Sequence, residues 1–275
     1  MTSGKEQPLF DARGRRTPFA GMRVYSRVAS HYYQLRQPAV DCAAVLDRTS
    51  KHTKAGTIVP VEKFKTACDG LLQAVKDDAS LSNLLKGVHV PFVCPKISED
   101  KDLGGEFEND WLPAVSSAFT GMFPKCHFKA TVQGESELGG NVRVAEGSRY
   151  EHFLQARRVG AVVGWYFPEA LLGYDVASQR SQMTSLTLPE NLVLSGGFDV
   201  AAALIGTPDL LVNEDAYPPV LCLSGFQHAD TRLMLCFKAY GLSLEFWGLS
   251  QMLTPTTTQV SEQWAGGLTI FTVVK

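Results

Sequence analysis

The sequence predicts an α+β fold: a helical N-terminal half, a strand-rich, charge-poor C-terminal half, and an extended basic N-terminal arm. Three observations carry this. Apolar residues toward the front recur at helical spacing, as in 61–75 with Phe64, Ala67, Cys68, Leu71, Leu72 and Val75. From residue 185 onward they fall into short runs bounded by turn residues. Charge is also uneven. Residues 1–54 carry ten Lys and Arg against four Asp and Glu, net +6, whereas residues 160–275 carry four against ten, net −6. The whole-chain value of −2 conceals both.

With 275 residues, 45% of them hydrophobic, the chain can bury a core without disulfides or metal staples and is not mostly disordered. A basic arm at 1–37 and a single body at 38–275 are expected, with any internal division near 176–185. No 18-residue uncharged apolar run exists to cross a membrane. The longest candidate, 159–167, is stopped by Pro168 and Glu169. The charge-poor stretch 160–275 is expected to lie in a large sheet core or against another subunit, because an exposed surface needs charge to stay solvated.

Pro8, Gly14, Pro18, Gly21 and Pro38 punctuate the arm, with a short helix expected within 23–36. A helical stretch follows at 40–46, then a short strand at 56–60 and the amphipathic helix at 61–75. Residues 80–85 begin a helical turn ended by Gly87, and 88–94 is β-like, with Pro91 favouring a sheet edge. Residues 96–110 are read as an acidic loop and 111–123 as a helix stopped near Gly121 and Pro124. Alternation at 127–133 and 141–145 around Gly139 and Gly140 suggests a hairpin. Ser148, with Glu151 three residues later, has capping-box spacing for a helix over 148–163. Strands are expected at 186–188, 191–195, 220–224, 233–237, 242–246 and 268–274, with a short helix at 200–205.

The first six residues lack the apolar core of a secretory signal. Residues 13–36 are Arg-rich like a transit peptide but contain Pro18 and lack a helical pattern. The six cysteines form no CxxC pair, and most have apolar neighbours, as buried free thiols do. An intracellular, reducing environment is expected, or a virion if the chain is viral.

The basic arm is the main candidate for chemistry. Arg13, Arg15 and Arg16 flank Gly14, and Arg23, Arg27 and Arg36 interleave with Tyr25, Tyr32 and Tyr33. Cations suit a phosphate backbone and aromatic rings suit unstacked bases, so RNA or a single strand is one expected partner. A solvated arm, or one docked on a neighbouring subunit, uses the same residues. Arg149 and Arg157, eight apart on one helix face, form with Arg158 and Arg143 a second basic cluster that extends a phosphate track or merely solvates the helix.

Other motifs fall short. Ser195 and Ser224 lack the glycine two residues earlier that a nucleophile elbow requires. A Ser224 and His228 hydrolase is the weaker alternative to a strand end and turn. The six histidines show no metal-ligand spacing, and 99–110 lacks the alternating ligands of a calcium loop. No phosphate loop or dinucleotide fingerprint is present. No cofactor or metal is expected.

These observations favour a self-assembling structural protein, coat- or nucleocapsid-like, forming homo-oligomers through its charge-poor body, with its arm against nucleic acid or a neighbouring subunit. An intracellular hydrolase or transferase with a dispersed site, drawing on His152, His228 or Ser224, is the alternative. An adaptor or immunity-type binding protein is the third.

Overall fold

The computed structural model describes residues 9–19, 21–25, 32–53, 58–97, 101–132, 137–185, 188–212, 215–254 and 257–275. It is a mixed α+β structure built on one large mixed sheet.

The first helix, α1 (Cys42–His52), starts where the Asp41 carboxylate accepts the N–H groups of Ala43 and Ala44. Helix α2 (Val61–Asp77) buries Phe64, Cys68, Leu71 and Val75, the stripe its spacing predicts. A 3₁₀ turn (Ser82–Lys86) leads into β1 (Val90–Cys94). Helix α3 (Leu103–Glu106) runs through a π turn (Phe107–Trp111) into α4 (Leu112–Met122). Then come β2 (His127–Val132), β3 (Val142–Val144), α5 (Tyr150–Val159), β4 (Ala161–Leu172) and α6 (Val176–Ser185). The remaining elements are β5 (Leu192–Leu194), α7 (Gly197–Gly206), β6 (Val220–Cys222), β7 (Phe226–His228), β8 (Leu233–Tyr240), β9 (Ser243–Ser250), β10 (Met252–Thr254), β11 (Thr257–Thr258) and β12 (Trp264–Val274).

The sheet runs β1-β4-β12-β6-β8-β9-β2, and β5 also pairs with β12. Its centre is the long antiparallel pair β4 and β12, from Ala265 opposite Leu172 to Val274 opposite Ala161. Helices cover both faces there. Val162 and Tyr166 join a core with Phe153, Phe198 and Phe271, while Val163, Trp165 and Phe167 join another with Phe64, Cys68 and Leu71. A strand covered on both faces has no polar side to present, so β4 is apolar apart from Glu169, whose carboxylate is met by Arg15. Burial in this core accounts for much of the low charge of 160–275: β4, α7 and β12 are almost wholly enclosed.

Several expectations need correction. The helix predicted over 148–163 ends at Val159, and the chain turns at Gly160 into β4; an added Cβ there would sit 2.8 Å from the Val274 carbonyl oxygen. The acidic loop at 96–110 is helical from Leu103, because its apolar residues Leu103, Phe107 and Trp111 face the core. Strands β2 and β3 do not form a hairpin. The first pairs in parallel with β9 and the second antiparallel with β7. Residues 58–60 are not a strand, and 56–57 lie outside the described residues. Of the short helix expected within 23–36, residues 26–31 lie outside the described residues; on either side the chain makes isolated bridges, Val24 to Tyr174 and Tyr33 to Tyr217. Pro91 does mark an edge, since β1 ends the sheet. Residues 176–185 are α6, whose Val176 packs with Cys222, Cys236 and Trp264.

Among the described residues, no helix is long and apolar enough to cross a membrane.

Candidate interaction surface

The basic residues singled out in the sequence do not converge on one open face. The described N-terminal residues lie on the body: Phe10 is buried, and the Arg16 N–H donates to the Ala170 carbonyl at 2.8 Å. Arg15 pairs with Glu169 at 3.0 Å. Arg16 is buried, and its Nη1 donates to the carbonyls of Leu9 and Thr17, both at 2.8 Å. Arg23 reaches Asp175 at 3.6 Å and donates to the Thr258 hydroxyl at 2.6 Å. Arg36 is paired with Asp215. Arg13 is exposed, and Arg27 lies outside the described residues. A guanidinium already engaged by a carboxylate has less to offer a phosphate; of the described arm arginines, Arg13 is exposed and belongs to none of these ion pairs.

The second cluster also divides. Arg149 precedes α5 with φ 62°, and its guanidinium approaches the Leu188 carbonyl at 3.3 Å. Arg157 points inward with 1% of its side chain exposed, bonded to Glu106 at 2.7 Å. Its guanidinium carbon lies 4.3 Å from the Phe198 ring centroid and 5.4 Å from that of Trp111. Arg158 is exposed on the same helix. Arg149 and Arg157 therefore do not form a phosphate track. The buried stripe Tyr150, Phe153 and Arg157, at helical spacing, is the signal that places Arg157 inside.

The polar chemistry of the interior is sealed. Asp199, at the start of the enclosed helix α7, accepts from Tyr150 Oη at 2.9 Å, Thr269 Oγ1 at 2.5 Å and the Gly196 N–H at 3.0 Å. Ser195 bonds Thr269 at 2.8 Å. Burial pushes the Asp199 carboxyl up to about 6, with the three hydrogen bonds pulling against it. All four side chains are buried. A substrate has no route to them, and the network's visible work is to hold β5, α7, α5 and β12 together. Ser224 is likewise buried and donates to Gln179. His228 is buried in β7, where its Nδ1 accepts the Asp230 N–H at 3.0 Å. It makes no hydrogen bond to Ser224. His152 stands apart on α5, against the Glu190 carbonyl.

The exposed surface is more informative. Tyr217, Tyr240 and Leu242 are 65%, 77% and 63% exposed, and Val212 is exposed beside them. They line one groove of about 580 Å³ between residues 211–212 and 215–218 on one side and the β8–β9 turn on the other, where Gly241 takes φ 57°. Tyr32 stacks on Tyr217, centroids 5.7 Å apart and planes 3° from parallel, and Tyr33 packs at 6.5 Å. The Arg36–Asp215 pair lies beside them.

No family model matches this chain, and no curated protein or solved structure is found to be similar to it. The functional reading therefore rests on its own geometry. Tyr32 and Tyr33 were legible as aromatics of the arm, and the structure leaves Tyr32 exposed and Tyr33 half-buried. Tyr217, Tyr240 and Leu242 were not legible, because the three join only when the strand order brings residues 215–218 to the β8–β9 turn.

Proposed function

We propose that the chain is a self-assembling structural subunit, coat- or nucleocapsid-like, that docks on a second copy of itself through the groove lined by Tyr217, Tyr240, Leu242 and Val212. The concentration of exposed large apolar side chains in that one groove carries the reading. Aromatic residues clustered in a concave patch favour protein contact, and leaving them in water is unfavourable. The ion pairs that tie Arg15, Arg23 and Arg36 to carboxylates of the same chain leave these arginines less to offer a nucleic acid. Arg13 and the Tyr32–Tyr217 stack remain the residues through which RNA or a single strand would be touched.

The test is light scattering behind size exclusion over a range of protein and salt concentrations, before and after nuclease. Wild type is expected to form a concentration-dependent oligomer, and a variant with Tyr240→Ser and Leu242→Ser to run as a folded monomer. A wild-type monomer at every concentration and salt overturns the reading. Loss of the oligomer on nuclease treatment moves the assembly to its nucleic-acid form.

A further inference from the structure

The two ends of the large sheet are finished differently. At one end β1 carries Pro91, is buried along its length, and lies against α1 and α7. At the other end β2 pairs with β9, and no described residue pairs with its outer side. The His127 N–H donates to the Leu242 carbonyl at 2.9 Å. Successive residues of a strand turn their backbone groups to opposite sides, so His127, Lys129 and Thr131 bond toward β9. Phe128, Ala130 and Val132 then present N–H and C=O groups to the open edge. An unpaired edge of this kind is a template for another strand.

The side chains of β2 say what that strand would carry. On one face Phe128, Ala130 and Val132 line an apolar groove of about 370 Å³ with Leu112, Pro113 and Phe246. Glu108 and Glu137 also line it, which disfavours a carboxylate on that face. On the other face charges alternate across three strands in register: Lys238 on β8, Glu245 on β9 and Lys129 on β2. Lys238 meets Glu245 at 3.3 Å. The row ends on exposed Lys129, and a carboxylate is the residue that continues it.

We infer that the open edge of β2 binds an extended peptide segment of a partner protein as a ninth strand, with an acidic residue between two apolar ones. The acidic side chain lies beside Lys129 and its neighbours enter the groove. Backbone hydrogen bonds supply affinity, and the alternating side chains supply selectivity. The inference stands apart from the assembly reading, since it uses a different surface and a different occupant.

The experiment titrates full-length protein into fluorescently labelled, end-blocked seven-residue peptides of alternating valine and threonine, followed by anisotropy. In one peptide the central residue is glutamate flanked by valines; in its control it is lysine. The glutamate peptide is expected to bind about fivefold tighter, and Lys129→Glu to reverse the order. Ala130→Pro is expected to abolish binding of both, because it removes an outward N–H while leaving the bonds to β9 in place. Circular dichroism of that variant checks the fold. Equal binding of the two peptides, no binding of either, or full binding by folded Ala130→Pro overturns the proposal. So does a wild-type dimer that Ala130→Pro alone dissociates, since that makes a second copy the occupant. The Tyr240 and Leu242 variant binds the peptides normally, which separates this outcome from the assembly test.

Discussion

Arg157 and Glu106 form an enclosed ion pair, Nη2 to Oε1 2.7 Å, with 1% and 8% of their side chains exposed. The same carboxylate oxygen accepts the Trp111 indole N–H at 3.1 Å. Among the described residues the guanidinium Nε and Nη1 have no hydrogen-bond partner, so its charge is met by Glu106 and by the faces of Phe198 and Trp111.

Such a pair is costly to break from one side. Glu106→Gln leaves a buried cation uncompensated and is expected to destabilise the fold by about 3–5 kcal/mol. Arg157→Met combined with Glu106→Gln removes the charge problem and is expected to recover much of that loss. Urea denaturation of both single variants and the double variant measures the coupling. Additive losses in the double variant would contradict this account.

Asp199 gives stability a pH dependence of known sign. Its carboxyl sits at about 6 when folded, raised first by burial, whereas an unfolded aspartate titrates near ~3.9. Between those values the folded chain holds a proton that the unfolded chain has released. The group's contribution is therefore fully present below about pH 4, is lost as pH rises through about 6, and is flat beyond. The change is on the order of 3 kcal/mol. Asp199→Asn removes the titrating group, so wild-type stability minus variant stability should fall by that amount between pH 4 and pH 7. A difference that stays constant over this range would show that Asp199 does not titrate there.

Thiol accessibility offers a direct check on the packing. Cys68, Cys94, Cys222 and Cys236 are buried, while Cys42 and Cys126 are half-buried. Burial raises all four enclosed thiols, Cys222 up to about 12, which suppresses the reactive thiolate. A disulfide reagent at pH 8 is expected to titrate at most two thiols in the native protein and all six in denaturant. Rapid reaction of four or more thiols in the native state would mean that the sheet core opens readily.

Much of the fold was legible where one face is polar. Helix α2 shows its stripe of Phe64, Cys68, Leu71 and Val75, and the runs at 191–195, 220–224, 233–237, 242–246 and 268–274 all contain strand. Legibility failed where both faces are covered. Strand β4 has no alternation to detect, so its front merged with the preceding helix. The polar interior was hidden for another reason. Tyr150, Asp199 and Thr269 lie 49 and 70 residues apart and meet only through tertiary packing. The arginines misled because Arg157 and Arg158 are adjacent in sequence, yet one enters the core and the other stays outside. Charge along a chain does not specify which carboxylate will meet it.

Two helical glycines separate packing constraint from backbone entropy. Gly70 lies within α2 on an exposed position, and an added Cβ there meets nothing within 4 Å. Gly70→Ala is expected to stabilise the protein by about 0.5–1 kcal/mol, because alanine restricts the unfolded chain and favours the helix. Gly104 lies in α3, where a Cβ would fall 1.8 Å from the Leu138 carbonyl oxygen. That contact sets the helix against the segment that Glu108 also ties down through the Leu138 N–H at 3.1 Å. Backbone cannot give way as a flexible side-chain tip does, so Gly104→Ala must displace either the helix or the 138–140 turn. Its expected effect is opposite in sign, a loss of about 1–3 kcal/mol. Thermal unfolding of the two variants beside wild type reads both, and a stabilised Gly104→Ala would mean that α3 and the 138–140 turn are not in close contact.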